Sequence, residues 1–152
     1  MSRFGNLSRL AVNGDEVVDY EMPFLEGSPI FQCKPATEQN KPYHRALLKL
    51  TSKLAKRLRG RDADPQTLRE SRGYDVKLFP QHVVVGWREN EGPIDADGNR
   101  VPYTPEDCAD FIEMLAQMAP DVFDEWRNWL SQPANFRPEE PTRDDGEALG
   151  ES

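Results

Sequence analysis

Two apolar patterns of helical spacing follow one another between Cys108 and Leu130, and they constrain the fold more than any other feature. The first repeats at i, i+3, i+4 and i+7 from Cys108 to Ala119, and the second runs from Val122 to Leu130. Pro120-Asp121 separates the two patterns, and a connection this short predicts an antiparallel helix pair. One wide face of this pair must be covered, by the rest of the chain or by a partner.

The N-terminal part has the alternation expected of strands. The segment DEVVDYEM (15–22) follows the Asn13-Gly14 turn signal, and PIFQCK (29–34) follows a Gly-Ser-Pro break. These segments are predicted to pair as a hairpin across residues 25–28. Because an isolated hairpin is marginal in water, we expect it to pack on helices or on another sheet.

A basic helix is predicted between Pro42 and Gly60, where leucines recur at spacings of three and four. Eight basic residues and no acidic ones lie between Glu38 and Asp62. A solvated face is the favoured interpretation of this charge, ahead of a nucleic-acid patch, with an electrostatic contact to an acidic partner in between. The outward side chains include Arg45, Lys49, Lys53 and Lys56.

Residues 61–87 give weaker signals. The polar stretch RDADPQTLRESRGYD reads as a loop with one helical turn after Pro65. In the following VKLFPQHVVVGWRE, the β-branched content favours a strand, yet Pro80 is equally compatible with the first turn of a short helix. Periodicity does not decide between helix and strand for residues 82–87.

The segment DADGNRVPYTPE has two interpretations. Oxygen-bearing side chains at Asp95, Asp97, Asn99 and Glu106 match four positions of a calcium loop, but Arg100 occupies the place of the glycine that such a loop needs. The favoured alternative is a tight turn at Asp97-Gly98 followed by a helix that Thr104 caps. Capping needs no ion, so no metal site is expected here.

No catalytic motif is visible in the chain. It has no GxSxG, no HExxH and no glycine-rich phosphate loop. The two cysteines, Cys33 and Cys108, are interpreted as reduced thiols, and with His44 and His82 they lack the spacing of a zinc site. We therefore expect a non-enzymatic protein without a cofactor or a small-molecule substrate.

Length and charge bound the organisation. With 152 residues and a net charge of −8, the chain suits one domain and disfavours nucleic acid as a partner. We expect an N-terminal arm (1–14), one globular domain (15–136) and a disordered acidic tail (137–152). The class is α+β and mainly helical, with a small N-terminal hairpin followed by three to four helices. No run suits a membrane span or a secretory signal, which favours the cytoplasm.

The order of several short motifs resembles the tail assembly chaperone family of long-tailed bacteriophages. Shared signals are Asn40 and Tyr43 before the basic helix, Gly86-Trp87 after an apolar run, and Asp97-Gly98 before a Pro-Tyr-Thr segment. A final helix closes on Asn135-Phe136. The resemblance spans residues 15–136, and the same block also resembles small phage virion proteins. It shifts our expectation for residues 83–87 towards helix.

The resemblance implies a chaperone that binds the tape measure protein and assists assembly of tail tube proteins in the host cytoplasm. The alternative is a structural component of the phage particle, located in the virion as a minor head, tail or decoration protein. A small nucleic-acid-binding protein ranks last. Homo-oligomers are left open. Expected partner-binding residues are an aromatic ridge of Phe123, Trp126 and Trp129, together with the basic Arg45, Lys49, Lys53 and Lys56. The same rings could instead form the core, and the acidic tail could cover the basic face.

Overall fold

The computed structural model describes residues 3–57 and 65–137, with side chains described for 3–52 and 69–137. The predicted acidic tail lies outside the described residues, apart from its first residue, Arg137. The architecture is α+β and mainly helical, as predicted. Its elements are a 3₁₀ helix (Gly5–Leu10), β1 (Val18–Glu21), β2 (Ile30–Cys33), α1 (Lys41–Arg57), α2 (Pro65–His82), β3 (Val84–Gly86), α3 (Pro105–Met118), α4 (Pro120–Leu130) and a second 3₁₀ helix (Pro133–Phe136).

The predicted N-terminal hairpin is confirmed. Strands β1 and β2 pair antiparallel from Val18 opposite Cys33 to Glu21 opposite Ile30. The turn between them uses Gly27 and Ser28, both at positive φ, which glycine adopts without strain. Side chains of β2 alternate between half-buried and buried, so one face of the hairpin meets the core.

The helical expectation for residues 83–87 is wrong, because β3 adds a third strand antiparallel to β2. The backbone N–H of Lys34 donates to the carbonyl of Val83 over 2.8 Å. Val84 is buried, Val85 is exposed and Gly86 is buried, as a strand at a sheet edge requires. Pairing with the open edge of β2 therefore decides the conformation of a segment too short to show periodicity.

The expected loop at 61–75 is also corrected, because helix α2 runs without interruption from Pro65 to His82. Pro65 occupies the first helical position, where its missing N–H has no helical partner to lose. Pro80 lies in the last turn of α2 and not at the start of another helix. The inward face of α2 mixes apolar Leu78 and Phe79 with buried Asp75, which hides its periodicity.

The core lies between the sheet and helices α2, α3 and α4. Phe31 of β2 is fully buried and its ring centroid is 5.1 Å from that of Trp126 and 5.0 Å from that of Phe111. The ring of Phe79 on α2 meets that of Phe123 on α4 at 5.6 Å. The hairpin thus packs on helices, as expected. No helix in the described part of the chain has the length and apolar character of a membrane span.

Candidate partner-binding surfaces

The aromatic ridge predicted as a docking surface belongs mainly to the core. Phe123 and Trp126 have no exposed surface, because the inward face of α4 packs on α2 and β2. Trp129 is half-buried between Tyr20, at 5.0 Å, and Phe136, at 5.9 Å. A partner cannot reach Phe123 or Trp126 unless the domain opens, so their assignment as partner-binding residues is corrected. Helical periodicity identified the apolar face but could not tell what covers it.

The predicted basic residues lie on one helix. Arg45 and Lys49 are exposed on α1. Lys53 and Lys56 lie in the second half of α1, and their side chains fall outside the described ones. Spacings of three and four put all four positions on the same side of the helix. Their contact with a partner stays a prediction.

Three motif residues, Asn40, Trp87 and Asn135, fix local structure. The side-chain amide of Asn40 donates to the carbonyls of Pro35 and His82, both over 2.9 Å, which ties the start of α1 to the end of α2. The indole N–H of Trp87 donates to the carbonyl of Val101 over 2.7 Å. Asn135 donates to the carbonyl of Trp129 over 2.8 Å. These side chains therefore position elements of the fold.

A cluster of ionic side chains joins α2 to α4, and the sequence did not predict it. We call it the ion cluster: Arg72, Asp75, Asp124 and Arg127. Arg72 donates to both carboxylate oxygens of Asp124, over 2.9 and 2.7 Å. Arg127 donates to Asp75 and Asp124, each over 2.9 Å. The sequence signal that could have found the cluster is the complementary order of charges on the two helices. Arg72 and Asp75 lie on α2, and Asp124 and Arg127 lie on α4.

Tyr43 extends the ion cluster to α1, since its hydroxyl donates to Asp75 over 2.7 Å. Burial and the neighbouring Asp75 raise the pKa of the Tyr43 phenol. The hydrogen bond from Arg72 lowers the pKa of Asp124. A cavity of about 260 Å³ adjoins the cluster. The ion cluster and Tyr43 therefore connect helices α1, α2 and α4.

The Asp95 segment is a turn stabilised by its own carboxylate. One carboxylate oxygen of Asp95 accepts the backbone N–H groups of Asp97 and Asn99, over 2.9 and 3.0 Å. Gly98 has φ +84°, and Ile94 pairs with Arg100 in an isolated antiparallel bridge. The turn interpretation is confirmed. Among residues whose side chains are described, no group of three or more His, Cys, Asp and Glu is placed to hold a metal ion.

The predicted cap of α3 is confirmed as well. The Thr104 hydroxyl accepts the backbone N–H of Asp107 over 3.0 Å, and Pro105 begins the helix. Glu106 and Asp107 lie in the first turn, where the helix dipole favours negative charge.

The cysteines are two buried free thiols. Cys33 and Cys108 have 0% and 1% of their surface exposed. Burial raises the pKa of both, that of Cys108 to about 12. Reactive cysteines have lowered pKa values and are accessible, so neither thiol suits nucleophilic catalysis.

Part of the exposed apolar surface lies on α3. Met114 and Met118 are 54% and 74% exposed and one helical turn apart, and we call them the methionine pair. On the neighbouring face of α3, Pro105 and Ala109 line a groove with Gly73, Val76 and Pro80 of α2. This α2–α3 groove has a volume of about 380 Å³ and carries Lys77 and Glu113. Both surfaces are accessible without opening the domain.

Comparison with known proteins supplies the origin of the chain. A protein-family model described as YdaY prophage protein matches residues 38–147, which is more than half of the chain. No curated protein and no solved structure matches it. The matched region contains all four α-helices and β3, and therefore both open surfaces of α3. The chain accordingly belongs to the YdaY prophage protein family and is phage-derived.

Proposed function

We propose that this phage-derived chain is a tail assembly chaperone that binds apolar helical segments of the tape measure protein. The observation that carries the proposal is the methionine pair. Two large apolar side chains of α3 face solvent on a helix whose other face is packed. Methionine is flexible and polarisable, and it is common on surfaces that accept apolar helices of varied sequence.

The basic side of α1 supplies a second contact in this proposal. Arg45 and Lys49 are exposed on α1, whereas the whole chain carries a net charge of −8. A local positive face steers acidic partner segments and raises the association rate at low salt. Its contribution should therefore weaken as ionic strength rises.

A non-enzymatic role fits the described chemistry. The side chains of the ion cluster pair with one another, and both cysteine thiols are buried with raised pKa values. These features support the proposed binding role. It needs neither a cofactor nor a metal ion.

Co-expression with the tape measure protein of the same phage tests the proposal. The chain should raise the soluble fraction of that partner several-fold, and Met114→Lys with Met118→Lys should abolish most of the gain, because charged side chains cannot enter an apolar contact. Val85→Lys is the matched control, since Val85 is also exposed, at 40%, but lies on β3. The proposal is contradicted if the methionine variant raises the soluble fraction as much as the wild type does. It is also contradicted if the wild-type chain does not raise the soluble fraction at all.

The alternative is a structural component of the virion. Mass spectrometry of purified particles separates the two: a chaperone should be absent or scarce, and a structural component should be present at a fixed copy number. Detection at fixed stoichiometry would favour the alternative and the virion as the location.

A further inference from the structure

The N-terminal 3₁₀ helix carries an open apolar face. A 3₁₀ helix has three residues per turn, so Phe4, Leu7 and Leu10 at i, i+3 and i+6 lie on one side of it. Their exposed fractions are 62%, 54% and 42%, and no residue of this helix is buried. Three large apolar groups at one end of the chain form a surface that water solvates poorly. A covering surface is therefore expected.

The α2–α3 groove is an apolar surface that lacks an occupant within the described part of the chain. Val76 and Pro80 of α2 face Pro105 and Ala109 of α3 across it. Gly73 lines the same groove, and a Cβ built there meets no atom within 4 Å. Glycine inside a helix costs about 1 kcal/mol relative to alanine, and no described contact of the monomer requires it. A missing side chain at this position lets another chain approach the helix closely.

The charges of the two surfaces are complementary. Residues 1–14 contain Arg3 and Arg9 and no acidic residue. Helix α3 contains acidic residues and no lysine or arginine. On α3, Glu113 lines the groove, and Glu106 and Asp110 are exposed nearby, while Lys77 lines the α2 side. An apolar segment of basic character, with no acidic residue, fits the carboxylate-bearing α3 side of this groove.

We propose that the α2–α3 groove receives the N-terminal 3₁₀ helix of a second copy of this chain. Within one molecule, the end of this helix is held elsewhere: the guanidinium Nε of Arg137 donates to the carbonyl of Leu10 over 2.8 Å, next to the second 3₁₀ helix. Leu7 and Leu10 stay exposed there, and the groove has no occupant among the described residues. Reciprocal exchange of the arms closes a dimer, whereas one-way docking builds a ring or a filament.

Cysteine pairing between two separately prepared variants tests the proposal. Leu7→Cys and Gly73→Cys each place one accessible thiol on the two surfaces, while Cys33 and Cys108 are buried. On mixing under mild oxidation, the disulfide-linked heterodimer should form at least about tenfold faster than with Leu7→Cys and Phe24→Cys, because docking raises the effective thiol concentration. Phe24 is 60% exposed in the hairpin turn, which makes it a matched control.

Sedimentation velocity provides the second measurement. The full chain should sediment as a dimer or larger assembly, and Leu7→Ser with Leu10→Ser should return it to a monomer. Phe24→Ser should leave the assembly unchanged. Equal crosslinking rates in the two mixtures overturn the proposal, as does a disulfide that forms within single molecules of the Leu7→Cys/Gly73→Cys double variant at high dilution. The methionine pair is untouched in these variants, so this test can fail while the chaperone proposal stands.

Discussion

At the scale of single residues, the ion cluster is the strongest polar feature of the domain. Arg127 reaches across from α4 to the carboxylate of Asp75 on α2, and the side chains of both residues are at least four-fifths buried. Its guanidinium also lies over the ring of Phe123, with Cζ 5.9 Å from the centroid. Removing one member leaves a buried charge without its partner, which costs more than the pair itself contributes. The cluster therefore enforces one arrangement of α1, α2 and α4.

The contribution of the Arg72–Asp124 pair to stability should be lost in acid. The folded pKa of Asp124 lies below its ordinary value of 3.8, so the pair stabilises the fold above that pH, and the contribution is lost as pH falls through the folded pKa. The free energies of unfolding in urea of the wild type and of Arg72→Met should differ from about pH 7 down to about pH 5. They should converge towards about pH 2. A difference that stays constant across this range would contradict the assignment. Arg45→Met, on an exposed site of α1, is the matched control.

Trp126 should behave as a core residue. Trp126→Ala should lower the free energy of unfolding by about 3–5 kcal/mol, as large-to-small changes in cores do. Trp126→Phe should cost much less, because it keeps most of the ring volume of this fully buried side chain. Chemical denaturation measures both. A loss below about 1 kcal/mol for Trp126→Ala would place this ring outside the core.

The two thiols should not react with thiol reagents in the folded protein. Cys33 and Cys108 are buried and their pKa values are raised, so a thiol reagent near pH 8 should react only as fast as the domain unfolds. Full reaction is expected in denaturant. Rapid reaction of one or both thiols under native conditions would show that the core opens locally at α3 or β2.

At the scale of elements, capping and turn signals predicted the boundaries of helices and strands best. Thr104-Pro105 located the start of α3, Pro120 separated α3 from α4, and the Gly-Ser-Pro break located the hairpin turn. Each is a local effect of backbone geometry, which sequence carries directly. Helix α2 and strand β3 were missed because both depend on distant partners: α2 on charge pairs with α4, and β3 on the open edge of β2.

The candidate site was less predictable than the fold. The sequence showed that α4 has an aromatic face, but Phe31 and Phe79 cover that face from distant parts of the chain. Conversely, the apolar pattern predicted from Cys108 to Ala119 includes Met118, which is 74% exposed. Periodicity ranks residues by direction around a helix, and only the packed structure shows which directions lead to solvent.

Two glycines should respond in opposite ways to alanine. Gly73→Ala should raise the free energy of unfolding by up to about 1 kcal/mol, because the added Cβ meets no atom within 4 Å and alanine favours the helix. Gly14→Ala should destabilise the protein, because its Cβ would overlap the carbonyl of Gln39. Thermal unfolding at a concentration that keeps both variants monomeric measures the difference. Stabilisation of both variants, or of neither, would contradict these backbone positions.

At the scale of the whole molecule, charge is unevenly distributed over the described helices. Exposed Arg45 and Lys49 stand on α1, whereas α3 has no basic residue. The open apolar groups on α3 and on the N-terminal 3₁₀ helix lie outside a well-packed core. Exposed apolar surfaces outside a packed core support the binding role that we propose for this member of the YdaY prophage protein family.

Methionine oxidation tests the central claim most directly, because the chain supplies its own control. In dilute peroxide, Met114 and Met118 should oxidise many times faster than Met22, which has no exposed surface. With the tape measure protein of the same phage bound, oxidation of the methionine pair should slow several-fold while Met22 stays unchanged. Mass spectrometry of peptides measures each rate. If Met114 and Met118 oxidise equally fast with and without the bound partner, the methionine pair is not the binding surface.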